Sequence, residues 1–294
     1  MTPIDHIREF EPSYGQLVGI SPLVRRLVAR NSGPFTAWGT GTYVIGHGEV
    51  AVIDPGPLED DHIDGLIAAL AGERITHLVV THTHLDHSPA AAPLAKRTGA
   101  RVVGCAPHGA RGDTTEAGAD YDFAPEDRLL DGEGVAGPQW TLTAVATPGH
   151  TSNHLCYSLA QEGALFTGDH VMGWSTTVVS PPDGDMAAYM KSLEKLLVRD
   201  EGVYYPTHGA PITRPKDYVR QLIVHRRERE AQILECVTGG CDTIDAMVAR
   251  LYADVDARLH RAAGRSVLAH LQKLVDEGRI LEVVAAGTSR FRPR

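Results

Sequence analysis

The chain has 294 residues, 43% hydrophobic and 22% charged, with a formal net charge of −9. That is room for one large domain, or a large and a small one, and the balance excludes wholesale disorder. It also lacks any apolar run near the ~20 residues that span a bilayer, and a start carrying Asp5, Arg8 and Glu9 predicts no secretory leader. Cys105, Cys156, Cys236 and Cys241 form no CxxC pair, which speaks against a disulfide frame or cysteine zinc site and makes the cytoplasm the expected compartment.

From residue 36 to 209 short apolar runs alternate with helical patterns and turns. A strand is expected over 50–53, ending at the turn Asp54-Pro55-Gly56, then a helix over 61–70 from the spacing of Ile63, Leu66, Ile67 and Leu70. A strand over 77–80 stops at a cluster of histidines. Ser88 followed by Pro89 reads as a cap opening a helix through Lys96. Strands follow at 101–103, 141–146, 154–159 and 164–167, an amphipathic helix from Met186 to Leu197, and a strand at 203–205.

Beyond Pro211 the character changes. Helices are expected at 218–237, 243–252 and 266–277, the last broken by Gly278, and then a hairpin at 280–285 and 289–292 around Gly287. Three helices closed by a hairpin make a winged-helix pattern, so two domains are expected, 1–211 and 212–294. Their charges differ. Residues from Ile212 on hold 15 Lys and Arg against 11 Asp and Glu, a net of +4, and the first 211 carry −13. Such acidity counts against a non-specific polyanion binder.

One cluster carries chemistry: Thr81-His82-Thr83-His84-Leu85-Asp86-His87, directly after a strand. Imidazole and carboxylate together suit zinc or a similar divalent ion, and the HxHxDH spacing is as specific as HExxH. Alternate residues His82 and His84 can face one ion, and the turn that follows swings Asp86 and His87 toward a second. Further donors stand at other strand ends: His150 in Thr147-Pro-Gly-His-Thr151, Asp169 in Gly168-Asp-His170, and His208 in Pro206-Thr-His-Gly209. The other histidines, including His6, His47, His62, His77, His108, His260 and His270, show no ligand spacing.

The order Asp54, HxHxDH at 82–87, His150, Asp169, His208 resembles the metallo-β-lactamase superfamily. Gly39-Thr-Gly-Thr-Tyr43, Asp54-Pro-Gly-Pro57 and the tail around His225-Arg226 and Arg229-Glu230 bring it closer to the β-lactamase-like protein 2 group, whose members end in a winged helix. The resemblance implies an α/β fold, an αββα sandwich with metals at one edge, followed by the small winged-helix-like domain. It implies two divalent ions, zinc before manganese or iron: one on His82, His84 and His150, the other on Asp86, His87 and His208, with Asp169 bridging. Two such ions, offset by Asp86, Asp169 and a bridging hydroxide, leave about +1 facing an anionic transition state and bring water toward a pKa of ~7. Asp54 is expected to hold a ligand histidine, with a plain turn role before Pro55 as the rival.

Two departures narrow the class. A carboxylate at Asp169 marks the hydrolase branches, glyoxalase II, lactonases and ribonucleases, rather than true β-lactamases. His84 stands where the flavodiiron branch has glutamate, which speaks against oxygen or nitric oxide reduction. Ser88-Pro89 replaces the diglycine of many relatives. Asp86 and His154 are the expected catalytic side chains, His154 as hydrogen-bond donor to an oxyanion, with a buried structural histidine as the equal alternative. Trp174, Ser175 and Thr176 read as pocket wall or core. His225 is expected at the surface, though its helix could bring it to the cleft.

A binuclear metal-dependent hydrolase of a small-molecule ester, thioester or lactone is therefore expected. Single-strand endoribonuclease activity on RNA is the first alternative, and a non-enzymatic nucleic-acid-binding regulator the second. Arg261, Arg265, Lys273, Arg279, Arg290 and Arg292 would face nucleic acid. The opposing role for the winged helix, packing against the metal cleft, is preferred. No membrane partner is expected, and sequence leaves the oligomeric state open.

Overall fold

The computed structural model describes residues 1–109, 118–285 and 288–294. A seven-stranded sheet runs in chain order: β1 (Val18–Gly19), β2 (Val24–Val28), β3 (Gly41–Ile45), β4 (Glu49–Ile53), β5 (Arg74–Val80), β6 (Arg101–Gly104) and β7 (Asp127–Arg128). β1 to β4 pair antiparallel and β4 to β7 parallel. The crossovers are helical, α1 (Asp60–Ala69) between β4 and β5 and α2 (Ala91–Thr98) between β5 and β6. A second sheet holds β8 (Gly134–Ala136), β9 (Thr141–Ala146), β10 (Leu155–Leu159), β11 (Ala164–Gly168) and β12 (Val203–Pro206), with α3 (Met186–Leu197) between the last two.

The second sheet is apolar on both faces, and its register shows why. Ala144, Tyr157, Phe166 and Tyr205 align across four strands and join the core shared with the first sheet. Their neighbours Val145, Cys156, Leu165 and Tyr204 point the other way, onto the helices. Tyr43 of the first sheet meets Phe166 edge-on at 5.1 Å, its hydroxyl donates to Pro206 O, and Tyr205 completes the trio. Burying Phe166 alone is worth ~1.5–3 kcal/mol.

The tail comprises α4 (Pro215–Thr238), α5 (Ile244–Leu251), α6 (His260–Asp276) and the hairpin β13 (Ile280–Ala285) with β14 (Thr288–Pro293). Gly287, expected at its turn, lies outside the described residues. The boundary expected at 211 falls just before α4, which serves two cores. Tyr218, Val219 and Leu222 pack on the second sheet's helix face, whereas Ile233, Cys236 and Val237 join Met247, Val267, Leu271 and Phe291 in the tail's own cluster.

Two local expectations are corrected. The helix after the histidine cluster opens at Ala91 with Ala90 as its uncapped start, because the Ser88 hydroxyl is spent on Asp120 Oδ2 at 2.6 Å. Strands β1, β2, β3, β7 and β8 were not expected. At the third helix of the tail, α6 begins six residues before the expected Ser266.

Glu230 on α4 ties the tail together, accepting from Lys273 and Arg279 at 2.7 Å each with His270 Nδ1 3.9 Å away. Burial opposes its ionisation, but these neighbours outweigh burial and hold the carboxyl down at about 2. Its folded value lies below the ordinary 4.5, so the stabilisation is complete above pH 4.5 and is lost as pH falls toward 2. Glu230→Gln should flatten that part of the acid-unfolding curve, read as melting temperature against pH.

Candidate metal centre

All seven expected donors come from strand ends at one edge of the sandwich. β5 delivers the 82–87 cluster, and β9, β11 and β12 deliver His150, Asp169 and His208. Close backbone packing makes two glycines necessary here. A Cβ on Gly168, whose φ is +50°, would lie 2.6 Å from His154 Nε2, and one on Gly149 would lie 2.3 Å from Tyr189 Cα.

The side chains fall into three groups of potential ligand atoms within 4.8 Å of one another: His82, His84 and His150; His82, His87 and Asp169; Asp86, His87 and His208. His84 Nδ1 lies 3.0 Å from His82 Nε2 and 3.1 Å from His150 Nε2. Around a tetrahedral ion with bonds of about 2.0–2.1 Å, nitrogens sit roughly 3.3 Å apart, so this cluster has the right scale. In the last group Asp86 Oδ2 is 3.3 Å from His87 Nε2 and 3.2 Å from His208 Nε2. Asp169 straddles the groups. Its Oδ1 is 3.3 Å from His208 Nε2 and 3.6 Å from His87 Nε2, and its Oδ2 is 3.7 Å from His150 Nε2.

The donors fit a cation on a second count. His87 Nε2 and Asp169 Oδ1 are buried with no hydrogen-bond partner among the described residues, which is costly unless a cation satisfies them. Meanwhile the far nitrogens are occupied. His87 Nδ1 donates to Asp54 Oδ2 at 3.0 Å, His150 Nδ1 to Val178 O at 2.6 Å, and His208 Nδ1 to Gly39 O at 3.1 Å. Each such bond sets the tautomer that leaves an Nε2 lone pair facing the centre.

Electrostatics divides the cluster. Burial, reinforced by neighbouring imidazoles, pushes His84 down to about 3 and His82 and His150 below the ordinary histidine value. Burial opposes charge on His208 too, but Asp169 and Asp86 outweigh it and lift that ring to about 10, holding on Nε2 a proton that a cation bound there would displace. His87 is raised in the same way by Asp86, Asp169 and Asp54.

Asp54 takes both roles weighed for it. It turns the chain at φ +48°, and its carboxylate accepts from Thr81 N, Thr81 Oγ1 and Thr207 Oγ1 besides His87. Thr81 Oγ1 in turn accepts from His82 Nδ1 at 3.0 Å. His154 departs from the expected oxyanion donor. It is buried, its Nε2 accepts the Asp169 backbone N–H at 3.3 Å, and its Nδ1 therefore carries the proton toward Thr147 Oγ1 at 2.9 Å. In that tautomer neither ring nitrogen presents an N–H to substrate. Trp174 and Trp38 both stand beside Gly209, and His225 is half-buried on α4. Sequence reasoning missed Thr40, which donates to Asp86 Oδ2 at 3.0 Å while Asn31 holds its hydroxyl. A partner 46 residues away leaves no local signal.

Two mixed sheets with helices outside, a His/Asp-rich edge and a winged helix behind define the metallo-beta-lactamase fold. Residues 36–208 match the metallo-beta-lactamase superfamily and residues 243–287 the beta-lactamase associated winged helix domain. The chain belongs to the metallo-beta-lactamase superfamily and is a hydrolase of it, a membership that implies divalent metal binding. It is 33% identical over 282 residues to an atrochrysone carboxyl ACP thioesterase of Aspergillus fumigatus, covering 87% of this chain and 83% of that one. A beta-lactamase-like protein 2 homolog of Caenorhabditis elegans is 31% identical over 264 residues, 88% of this chain and 86% of the other. A beta-lactamase domain protein from Burkholderia ambifaria shares the fold, with TM-score 0.82 at 21% identity over 99% and 97% of the two chains. Among the described residues no helix is long and apolar enough to cross a membrane.

Removing the Asp54 carboxylate leaves His87 Nδ1, two threonine hydroxyls and a backbone N–H without their acceptor. Asp54→Ala should cost about 3–5 kcal/mol in urea unfolding with a chelator present. In refolded protein, competition with a chromophoric chelator should show zinc held roughly 10–100-fold more weakly.

Proposed function

We propose that the protein is a binuclear metal-dependent hydrolase acting on a small thioester, ester or lactone. His82, His84 and His150 would hold one ion and Asp86, His87 and His208 the other, with Asp169 between them and zinc as the first candidate. The observation that carries this reading is the split reach of Asp169, one oxygen toward His87 and His208 and the other toward His150. Bound there, two divalent ions supply Lewis acidity, making hydroxide available at neutral pH and polarising the carbonyl under attack.

The chain's own contribution is orientation. Asp54 keeps the proton of His87 on Nδ1, and through Thr81 it does the same for His82. Val178 and Gly39 do so for His150 and His208. Thr40 occupies one lone pair of Asp86 Oδ2, so the carboxylate turns its remaining capacity toward His87 and His208. His154 steadies the Asp169 backbone rather than the substrate. Ser88 is committed to Asp120, which leaves it unavailable as a nucleophile.

Among the three substrate classes the thioester comes first, because relatives covering most of this chain are named thioesterases. The four cysteines are free thiols, which suits a reducing compartment such as the cytoplasm. RNA is disfavoured as substrate by the −13 charge of the first 211 residues, and part of the tail's cations are engaged within the chain. Lys273 and Arg279 pair with Glu230, Arg290 pairs with Asp242, and Arg265 is bonded to the loop at 180–181.

The test is hydrolysis of acyl-pantetheine thioesters and lactones, and in parallel of an unstructured labelled RNA, by protein containing two ions per chain. Thioester or lactone turnover is expected, abolished by chelation. Asp169→Asn, still folded, should lose more than the roughly 10–100-fold that follows loss of a residue supporting a ligand. Turnover at the wild-type rate by that variant would sink the mechanism, and RNA cleavage needing Asp86 would replace the substrate class.

A further inference from the structure

Among the supports of the metal ligands, one is built differently. Asp54 directly follows β4 and Gly39 lies two residues before β3, whereas the carbonyl that holds His150, Val178 O at 2.6 Å, lies in the middle of the long connection between β11 and α3. Such a connection has no ladder to fix it, so besides the buried side chain of Val179 neighbouring elements must hold it.

Two arginines of the tail do so on either side. Arg226 of α4 donates through Nη2 to the carbonyl of Thr177, directly before Val178. Arg265 of α6 donates through Nη2 to the carbonyl of Pro181 at 2.6 Å and through Nε to the hydroxyl of Ser180. The same stretch reaches the other shared donor. Thr177 Oγ1 donates to the Asp169 carbonyl at 2.8 Å and lies 3.0 Å from that of His170.

Arg226 is placed at a cost. Its side chain is buried, with the guanidinium 5.3 Å over the Tyr189 ring and a long contact from Nη1 to Ser266 Oγ at 3.4 Å. Among the described residues it has no carboxylate partner, and its Nε has no acceptor. A buried guanidinium is tolerated only where it is well hydrogen-bonded, and the bond to Thr177 is the one that carries it.

We infer that Arg226 and Arg265 are positioning residues that hold the 177–181 stretch, and through Val178 O the ring of His150, so that the winged-helix domain is a working part of the metal centre. The inference rests on His150 being a ligand, as in the function proposed above. Neither arginine touches the reacting atoms. Their removal frees the Val178 carbonyl to drift, and His150 loses the bond that fixes its tautomer and ring plane.

The experiment is metal titration by competition with a chromophoric chelator, alongside melting curves, on the full chain. Variants are Arg226→Met, Arg265→Met, the conservative Arg226→Lys, and Arg279→Met as a tail variant that leaves 177–181 untouched. Arg265→Met keeps the test open should Arg226→Met not fold, since Arg265 is only half-buried. Expected is a loss of about 10–100-fold in affinity for one ion of the two, the second unchanged, with Arg226→Lys recovering part of it. Arg279→Met should lower the melting temperature without altering either affinity. Two ions held with wild-type affinity in folded Arg226→Met or Arg265→Met overturn the inference alone. A wild-type chain that binds fewer than two ions overturns the proposed ligand set, and this inference with it.

Discussion

The carboxylate of Asp54 joins what the sheets keep apart. It sits at the end of β4 and takes hydrogen bonds from the end of β5, through Thr81 and His87, and from the end of β12 in the opposite sheet, through Thr207. A carboxylate this deeply buried survives only when its lone pairs are matched, and four donors match them. The positive φ at Asp54 is a strained conformation for a residue with a Cβ, held because the surrounding bonds over-determine it. From that one group follow the orientation of His87, the relay through Thr81 to His82, and the seat of the strand that carries His208. The aromatic trio of Tyr43, Phe166 and Tyr205 behind it supplies the dry floor against which these polar bonds gain strength.

Much of this is legible in the sequence, for a physical reason. The donors follow apolar runs directly, so strand ends and ligands announce each other, and the strand at 141–146 and the helix from Met186 to Leu197 appear where their periodicity puts them. What escapes the sequence are features fixed by distant partners. β2 reads Val24-Arg-Arg-Leu-Val28, whose two cations break an apolar pattern; yet Arg26 is buried, donating to Gly209 O with its guanidinium over the Phe10 ring. β3, beginning Gly41-Thr42, hides for a similar reason, its Thr42 hydroxyl being spent on the Asp54 carbonyl. Ser88 has the form of a helix cap and is taken by Asp120 instead. His154 shows the limit most clearly: its place beside the centre follows from its strand, but only the Asp169 N–H bonded to it reveals which nitrogen carries the proton.

The tail illustrates how part of a cationic pattern in sequence becomes an internal scaffold in space. Read along the chain, its arginines and lysines have the look of a nucleic-acid face. In the fold, Lys273 and Arg279 converge on Glu230, Arg290 closes onto Asp242, and Arg226 and Arg265 spend their donors on carbonyls of the catalytic domain. A guanidinium has five N–H donors in a fixed plane, which suits holding backbone carbonyls in an irregular stretch better than a flexible ammonium does. α4 makes this coupling stiff, because one helix lies in both hydrophobic clusters and Ala269 of α6 returns to the catalytic one. The winged helix therefore cannot rock freely without disturbing the stretch behind His150. Arg226 and Arg265 are thereby spent on the first domain, whereas Arg279 and Arg290 pair with carboxylates at the surface of the tail.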